Sequence, residues 1–127
     1  MDRFAFREVD ALTITTDGSG DGNATTTDTI RGALWALDVD YGTADGTTVL
    51  TVYIVGASAT GGDRLVYTSA AGNTNGLKFP RAASVKAADG SAGTGEEVIP
   101  IAGRKVKIVA ASTGATKTVT VKLFILQ

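Results

Sequence analysis

Four patterns of residue type and spacing in this chain could do chemistry, and each has a simpler reading beside it. The segment Asp17-Gly18-Ser19-Gly20-Asp21-Gly22 places side-chain oxygens at positions 1, 3 and 5 of an EF-hand-like loop, with Gly at 6 and Asp28 at 12. A hard cation such as calcium wants several oxygens, and Gly permits the wrap. Asp28 is not the bidentate Glu such loops end on, however, and the flanks read as strands, so a bare hairpin loop is the stronger reading. Gly56-Ala57-Ser58-Ala59-Thr60-Gly61-Gly62-Asp63 follows an apolar strand, where a phosphate loop would stand. That loop needs Lys and then Ser or Thr at its last two places. Gly62 and Asp63 stand there instead, and a carboxylate repels phosphate. Asp38 and Asp40 share one strand face, with Asp45 in the next turn. Paired carboxylates can hold a cation or move a proton, but on an exposed strand they more often solvate it and block edge association.

The fourth pattern is a basic one. Arg64, Lys78, Arg81, Lys86, Arg104, Lys105 and Lys107 lie in the second half of the chain, whereas acids crowd the first. Such asymmetry fits copies of the chain meeting head to tail, or one face meeting an acidic partner. It also arises by chance in a short chain.

Composition limits the chemistry further. Cys and His are absent. Thiol nucleophiles, disulfides, Cys-ligated zinc and Ser-His-Asp catalysis are therefore excluded, and the commonest base and metal ligand is missing. We expect no catalytic residue, no cofactor and no resident metal. The 12 basic and 13 acidic residues nearly cancel, without the cationic excess of a nucleic-acid binder, so no nucleic-acid partner is expected. No apolar run approaches a membrane span, and the charged start Asp2-Arg3-Phe4-Ala5-Phe6-Arg7-Glu8 is unlike a signal peptide. Synthesis and retention in a cytoplasm are expected, unless the protein leaves by lysis or inside an assembly.

The elements that must position these residues are strands. Val119, Val121, Leu123 and Ile125 alternate with Thr118, Thr120 and Lys122, a half-buried strand by its period of two. Phe124 and Leu126 break the polar face, which implies cover on both sides there. Lys105–Ala110 alternates likewise, and Ser112-Thr113-Gly114-Ala115 reads as the turn of a terminal hairpin. Glu96–Ile101 is a short strand whose Pro100 favours an edge or a strand end. Thr47–Val55, β-branched and apolar on both faces, reads as a central strand. Over Ile30–Tyr41 a helix face competes, but Ala33, Trp35, Leu37, Val39 and Tyr41 at spacing two favour a strand. Val9–Thr16 is extended, and Phe4 and Phe6 precede it in a shifted alternation, which means a bulge or a separate arm. Residues 87–95 form a Gly-rich loop.

The sum is roughly eight short strands about a dozen residues apart, an all-β antiparallel sandwich or jelly-roll-like barrel. One domain is expected over residues 9–127, with residues 1–8 as an N-terminal docking arm. Trp35, Tyr41, Tyr53 and Tyr67 read as core or sandwich-end residues, and Phe79 beside Pro80 is the loop aromatic that could stack on a sugar.

In its order of elements, the chain resembles the small all-β head decoration, or cement, proteins of tailed bacteriophages. The resemblance runs through the opening strand, the Asp17–Asn23 turn, Ile30–Tyr41, the Thr-rich strand, the Phe79-Pro80-Arg81 step and the closing alternating strand. It implies a non-enzymatic structural protein bound to the outside of a virion capsid. There it bridges major capsid protein subunits, commonly as a homotrimer. Phe4, Phe6, Arg7, Lys78, Phe79 and Arg81 are the expected capsid or subunit contacts. The alternative is a carbohydrate-binding or other adhesion sandwich on a virion surface, for which exposed coplanar aromatics would speak.

Overall fold

The structure is a computed structural model that describes residues 6–85 and 92–127, with the side chains of these apart from Asp10, 82–85 and 92–96. Phe4 and Lys86 therefore lie outside the described residues. Among the described residues eleven strands run β1 (Phe6–Thr15), β2 (Gly22–Thr25), β3 (Ala33–Asp40), β4 (Val49–Ile54), β5 (Arg64–Thr68), β6 (Gly76–Lys78), β7 (Ala82–Val85), β8 (Ala92–Glu97), β9 (Ile99–Pro100), β10 (Val106–Ala111) and β11 (Thr118–Leu126). Among the described residues there is no helix, and the helical alternative over Ile30–Tyr41 gives way to β3.

Two antiparallel sheets form a sandwich. The first runs β1-β11-β3-β6, with β9 also on β3, and the second runs β2-β10-β4-β5; β7 and β8 pair with each other. Period-two alternation sets which face each strand buries. Val119, Val121, Leu123 and Ile125 from β11 meet Val106 and Ile108 from β10 and Leu50, Val52 and Ile54 from β4 in one buried core. Each such side chain contributes about 1.5–3 kcal/mol on leaving water.

That alternation was silent on pairing, and the expected terminal hairpin is not there. β10 pairs with β2 and β4, while β11 pairs with β1 and β3. The two strands face each other across the core, and Ser112–Lys117 crosses between the sheets. Two strands with one apolar face each can satisfy it by facing as well as by lying side by side. Buried hydroxyls hold this crossing: Thr113 Oγ1 lies 3.0 Å from Thr16 Oγ1, which accepts the Lys117 N–H at 2.7 Å.

Two more expectations need correction. The loop set at 87–95 is in part strand, since Ala92 opens β8; residues 86–91 lie outside the described residues. Thr47–Val55 yields β4, central as expected between β10 and β5, but buried fully on one face and only partly on the other. Pro100 ends the two-residue β9, which has β3 as its neighbour, as its missing N–H requires. Of residues 1–8, Phe6–Glu8 belong to β1 and pair with Leu126–Phe124.

Candidate functional site

Two bulges shape the outer face of the first sheet. In β1 the register slips between Val9 and Leu12, so Val9 and Leu12 both pack against the core, while Phe6 falls on the opposite face. This is the bulge that the shifted alternation of Phe6 implied. In β3, Ala36 lies opposite Phe124 and Leu34 opposite Ile125, which leaves Trp35 as the extra residue. Leu34 and Leu37 are both fully buried, and Trp35 is half-buried. Bulges re-aim side chains in this way. Trp35 and Ala33 therefore do not share the face of Leu37, Val39 and Tyr41, as strict alternation would have it.

Around Trp35 an aromatic cluster forms. The Phe6 ring sits 4.9 Å from the indole at an interplanar angle of 59°, and the Phe79 ring sits 5.4 Å away at 82°. Phe6 is 58% exposed and Phe79 49%. Leu77, opposite Asp38 on β6, adds a further exposed apolar side chain. Phe124 and Leu126, on the face of β11 away from the core, are half-buried beside it. Arg81 fastens the cluster from below. Its Nη1 donates to the carbonyls of Trp35 at 2.7 Å and Pro80 at 2.6 Å, and its guanidinium lies 5.9 Å from the Phe79 centroid.

The expected contact residues thus divide. Phe6, Phe79 and Arg81 converge on Trp35. Lys78 is turned elsewhere, its Nζ 5.5 Å from the ring centroid of buried Tyr41. Arg7 lines a cleft at the free side of β1 with Glu8 and Asp28. Trp35 itself, which alternation makes a core or sandwich-end residue, is half-buried on the outer face. Its signal was the unbroken apolar run Leu34-Trp35-Ala36-Leu37, one residue too long for alternation and therefore the mark of a bulge.

The other candidates are not brought together. Asp17 Oδ1 accepts the N–H groups of Ser19 at 2.9 Å and Asp21 at 3.1 Å, which closes its own turn. Asp28 lies near the opposite end of β1, in the cleft with Arg7. Among the described residues no group of three or more acidic side chains could hold a metal ion, and the Asp17, Ser19, Asp21, Asp28 set does not assemble. Asp63 accepts from the Gly56 N–H at 3.0 Å and from Lys107 Nζ at 2.8 Å, so the 56–63 segment is a turn closed on a carboxylate. The Lys107 hydrogen bond first, and the Gly56 N–H second, hold the Asp63 carboxyl below its usual value. Asp38 and Asp40 are exposed on β3, and Asp40 Oδ1 accepts from the Gly42 N–H. Among the described residues no helix is long and apolar enough to cross a membrane.

No family model matches the chain, and no curated protein matches it. Among solved structures it is similar to a carbohydrate-binding module of family 29, at 11% identity and a TM-score of 0.47 over 91% of this chain and 70% of that one. It is similar also to chitosan-binding module 1 from a chitosanase/glucanase of Paenibacillus sp. IK-5, at 13% identity and 0.47 over 90% and 74%. The enzymatically active domain of tailspike protein 4 of bacteriophage CBA120 follows at 12% and 0.41, over 100% of this chain and 18% of that one. Likeness this distant assigns no ligand. The chain is an all-β sandwich module with an exposed aromatic cluster.

Proposed function

We propose that this chain is a non-enzymatic structural protein of a virion. In this reading it cements a capsid by docking the Phe6–Trp35–Phe79 face onto major capsid protein subunits. The observation that supports the reading is the tilt of the rings. At 59° and 82° to the indole, the phenyl rings make a ridged wedge rather than a flat platform. Sugars stack on ring faces, and a flat platform for them presents its rings in one plane. A ridged apolar cluster instead suits interdigitation with side chains of a protein partner. Trp with Arg beside it is also the composition of interface hot spots. Exposed apolar surface concentrated at one place marks an interaction site. Each docking contributes modestly, about 1 kcal/mol for the remaining half of each phenyl side chain. A shell repeats it over many copies, and bridging adjacent subunits multiplies the effect.

The test is co-sedimentation of the chain with undecorated shells of the virus that encodes it, beside a glycan array. Binding to shells that Trp35→Ala or Phe79→Ala weakens, with no glycan retained, supports the reading. Glycan binding lost in Trp35→Ala, without shell binding, would replace it with the carbohydrate-binding alternative.

A further inference from the structure

The sandwich has two open sides, and each carries a cleft. On one side β1 and β2 are terminal strands, with β11 and β10 as their ladder neighbours. On the other side β5 and β9 are terminal, with β4 and β3 as theirs. Counting strands from β1 through β11 and β3 to β9 puts the sides about 14 Å apart, at about 4.8 Å per strand. The cleft at the β1 side, of about 180 Å³, is lined by Glu8, Asp28 and Arg7 around Leu12. The groove at the β5 side, of about 360 Å³, is lined by Arg64 and Arg104 above Val66 and Pro100.

The two linings differ in charge: the β1 cleft carries two carboxylates, Glu8 and Asp28, against one guanidinium, Arg7, while the groove carries Arg64 and Arg104 and, among the described residues, no carboxylate. Asp28 and Glu8 are exposed, and Glu8 reaches Lys122 at a loose 3.9 Å. Arg64 and Arg104 are exposed, with no carboxylate within 4.0 Å of either among the described residues. Arg64 spends Nε and Nη2 on the Ala57 carbonyl, at 3.2 and 3.0 Å, which fixes its direction and leaves Nη1 to offer. Arg104 follows Ala102 and Gly103, both at positive φ (58° and 74°), in a turn closed by its own N–H on the Ile101 carbonyl. A non-glycine residue in that region costs about 1–2 kcal/mol, and such strain gathers where a side chain must be aimed. Glu8 and Asp28 from the first part of the sequence and Arg64 and Arg104 from the later part thus lie at opposite flanks of one sandwich.

We propose that the occupant of the Arg64/Arg104 groove is the Glu8/Asp28 side of a second copy of this chain. The contact is heterologous, so successive copies close into a ring or extend as a filament. Opposite charges select the orientation, because like sides repel. The apolar floor of the groove, Val66 with Pro100, then meets the side of β1.

Sedimentation of the full chain in low salt tests this, using wild type, Arg64→Glu with Arg104→Glu, Glu8→Lys with Asp28→Lys, and an equimolar mixture of the two variants. Wild type is expected to associate, with the association constant falling about tenfold or more in high salt. Each variant is expected to be folded and monomeric, and mixing them restores association, since each then meets an opposite charge. A wild type that stays monomeric at millimolar concentration overturns the proposal. So do charge-reversed variants that assemble like wild type, or folded variants that stay monomeric when mixed. Arg104→Glu alone serves where loss of the Arg64–Ala57 contact unfolds the double variant. The contact does not rest on the shell reading: Trp35→Ala leaves it intact, and charge reversal leaves the aromatic face intact.

Discussion

Trp35 and Phe79 meet edge to face, centroids 5.4 Å apart and planes at 82°, and one side chain, Arg81, holds both: its Nη1 donates to the Trp35 carbonyl while its guanidinium lies against the Phe79 ring. The cluster is thereby preorganised, and little ordering remains to be done on docking.

Arg81→Ala removes two charge-assisted hydrogen bonds and leaves the half-buried carbonyls of Trp35 and Pro80 without their partner. A loss of about 1–3 kcal/mol is expected, read from urea denaturation. A midpoint equal to wild type would show that the Arg81 contacts contribute nothing.

Tyr41 is 1% exposed, and its hydroxyl has no hydrogen-bond partner among the described residues. A buried unpaired hydroxyl costs about 1–3 kcal/mol. Tyr41→Phe keeps the ring under Lys78 and removes the cost, so it is expected to stabilise the fold by about 1 kcal/mol. Destabilisation by a similar amount would mean that the hydroxyl is satisfied in solution.

How far these features were legible in the sequence depends on their range. Alternation in 105–110 and 117–125 foretold which residues of β10 and β11 are buried, because one strand alone decides its own faces. It could not foretell that the two strands belong to different sheets, since pairing is decided by partners far away in sequence. Phe6, Phe79 and Arg81 were legible as exposed apolar and basic residues outside the strong alternation. Trp35 was not, because one bulge reverses every face assignment beyond it. Asp17 stands at a ligand-like spacing, yet its Oδ1 closes its own turn on the Ser19 and Asp21 N–H groups.

The lowered carboxyl of Asp63 has a direction in pH. Its folded pKa lies below the unfolded one, so the stabilisation is complete above the unfolded value near 3.8. It is lost as pH falls through the folded pKa. Asp63→Asn is expected to lower stability at neutral pH and to flatten the acid limb below pH about 4. An acid limb identical in the variant would show that the Lys107 and Gly56 contacts leave its titration unperturbed. The group is exposed, so salt is expected to weaken the effect.

Gly32 has φ +107°, and a Cβ there would come 2.5 Å from the Leu126 carbonyl oxygen. Both backbone and space require glycine at this entry to β3. Gly32→Ala is expected to cost about 2 kcal/mol or more and to loosen the end of β11 beside Phe6. Hydrogen exchange at Leu126 measures this, and unchanged protection would contradict it.

Trp35 is the sole tryptophan, so its fluorescence reports directly on the face that carries the account. Titration of the chain with undecorated shells is expected to shift its emission to the blue and shield it from acrylamide, at a stoichiometry set by the shell. Phe79→Ala is expected to weaken that titration about fivefold, the loss of about 1 kcal/mol of burial. Emission and quenching unchanged on shells demonstrably covered with the protein would contradict docking through this face.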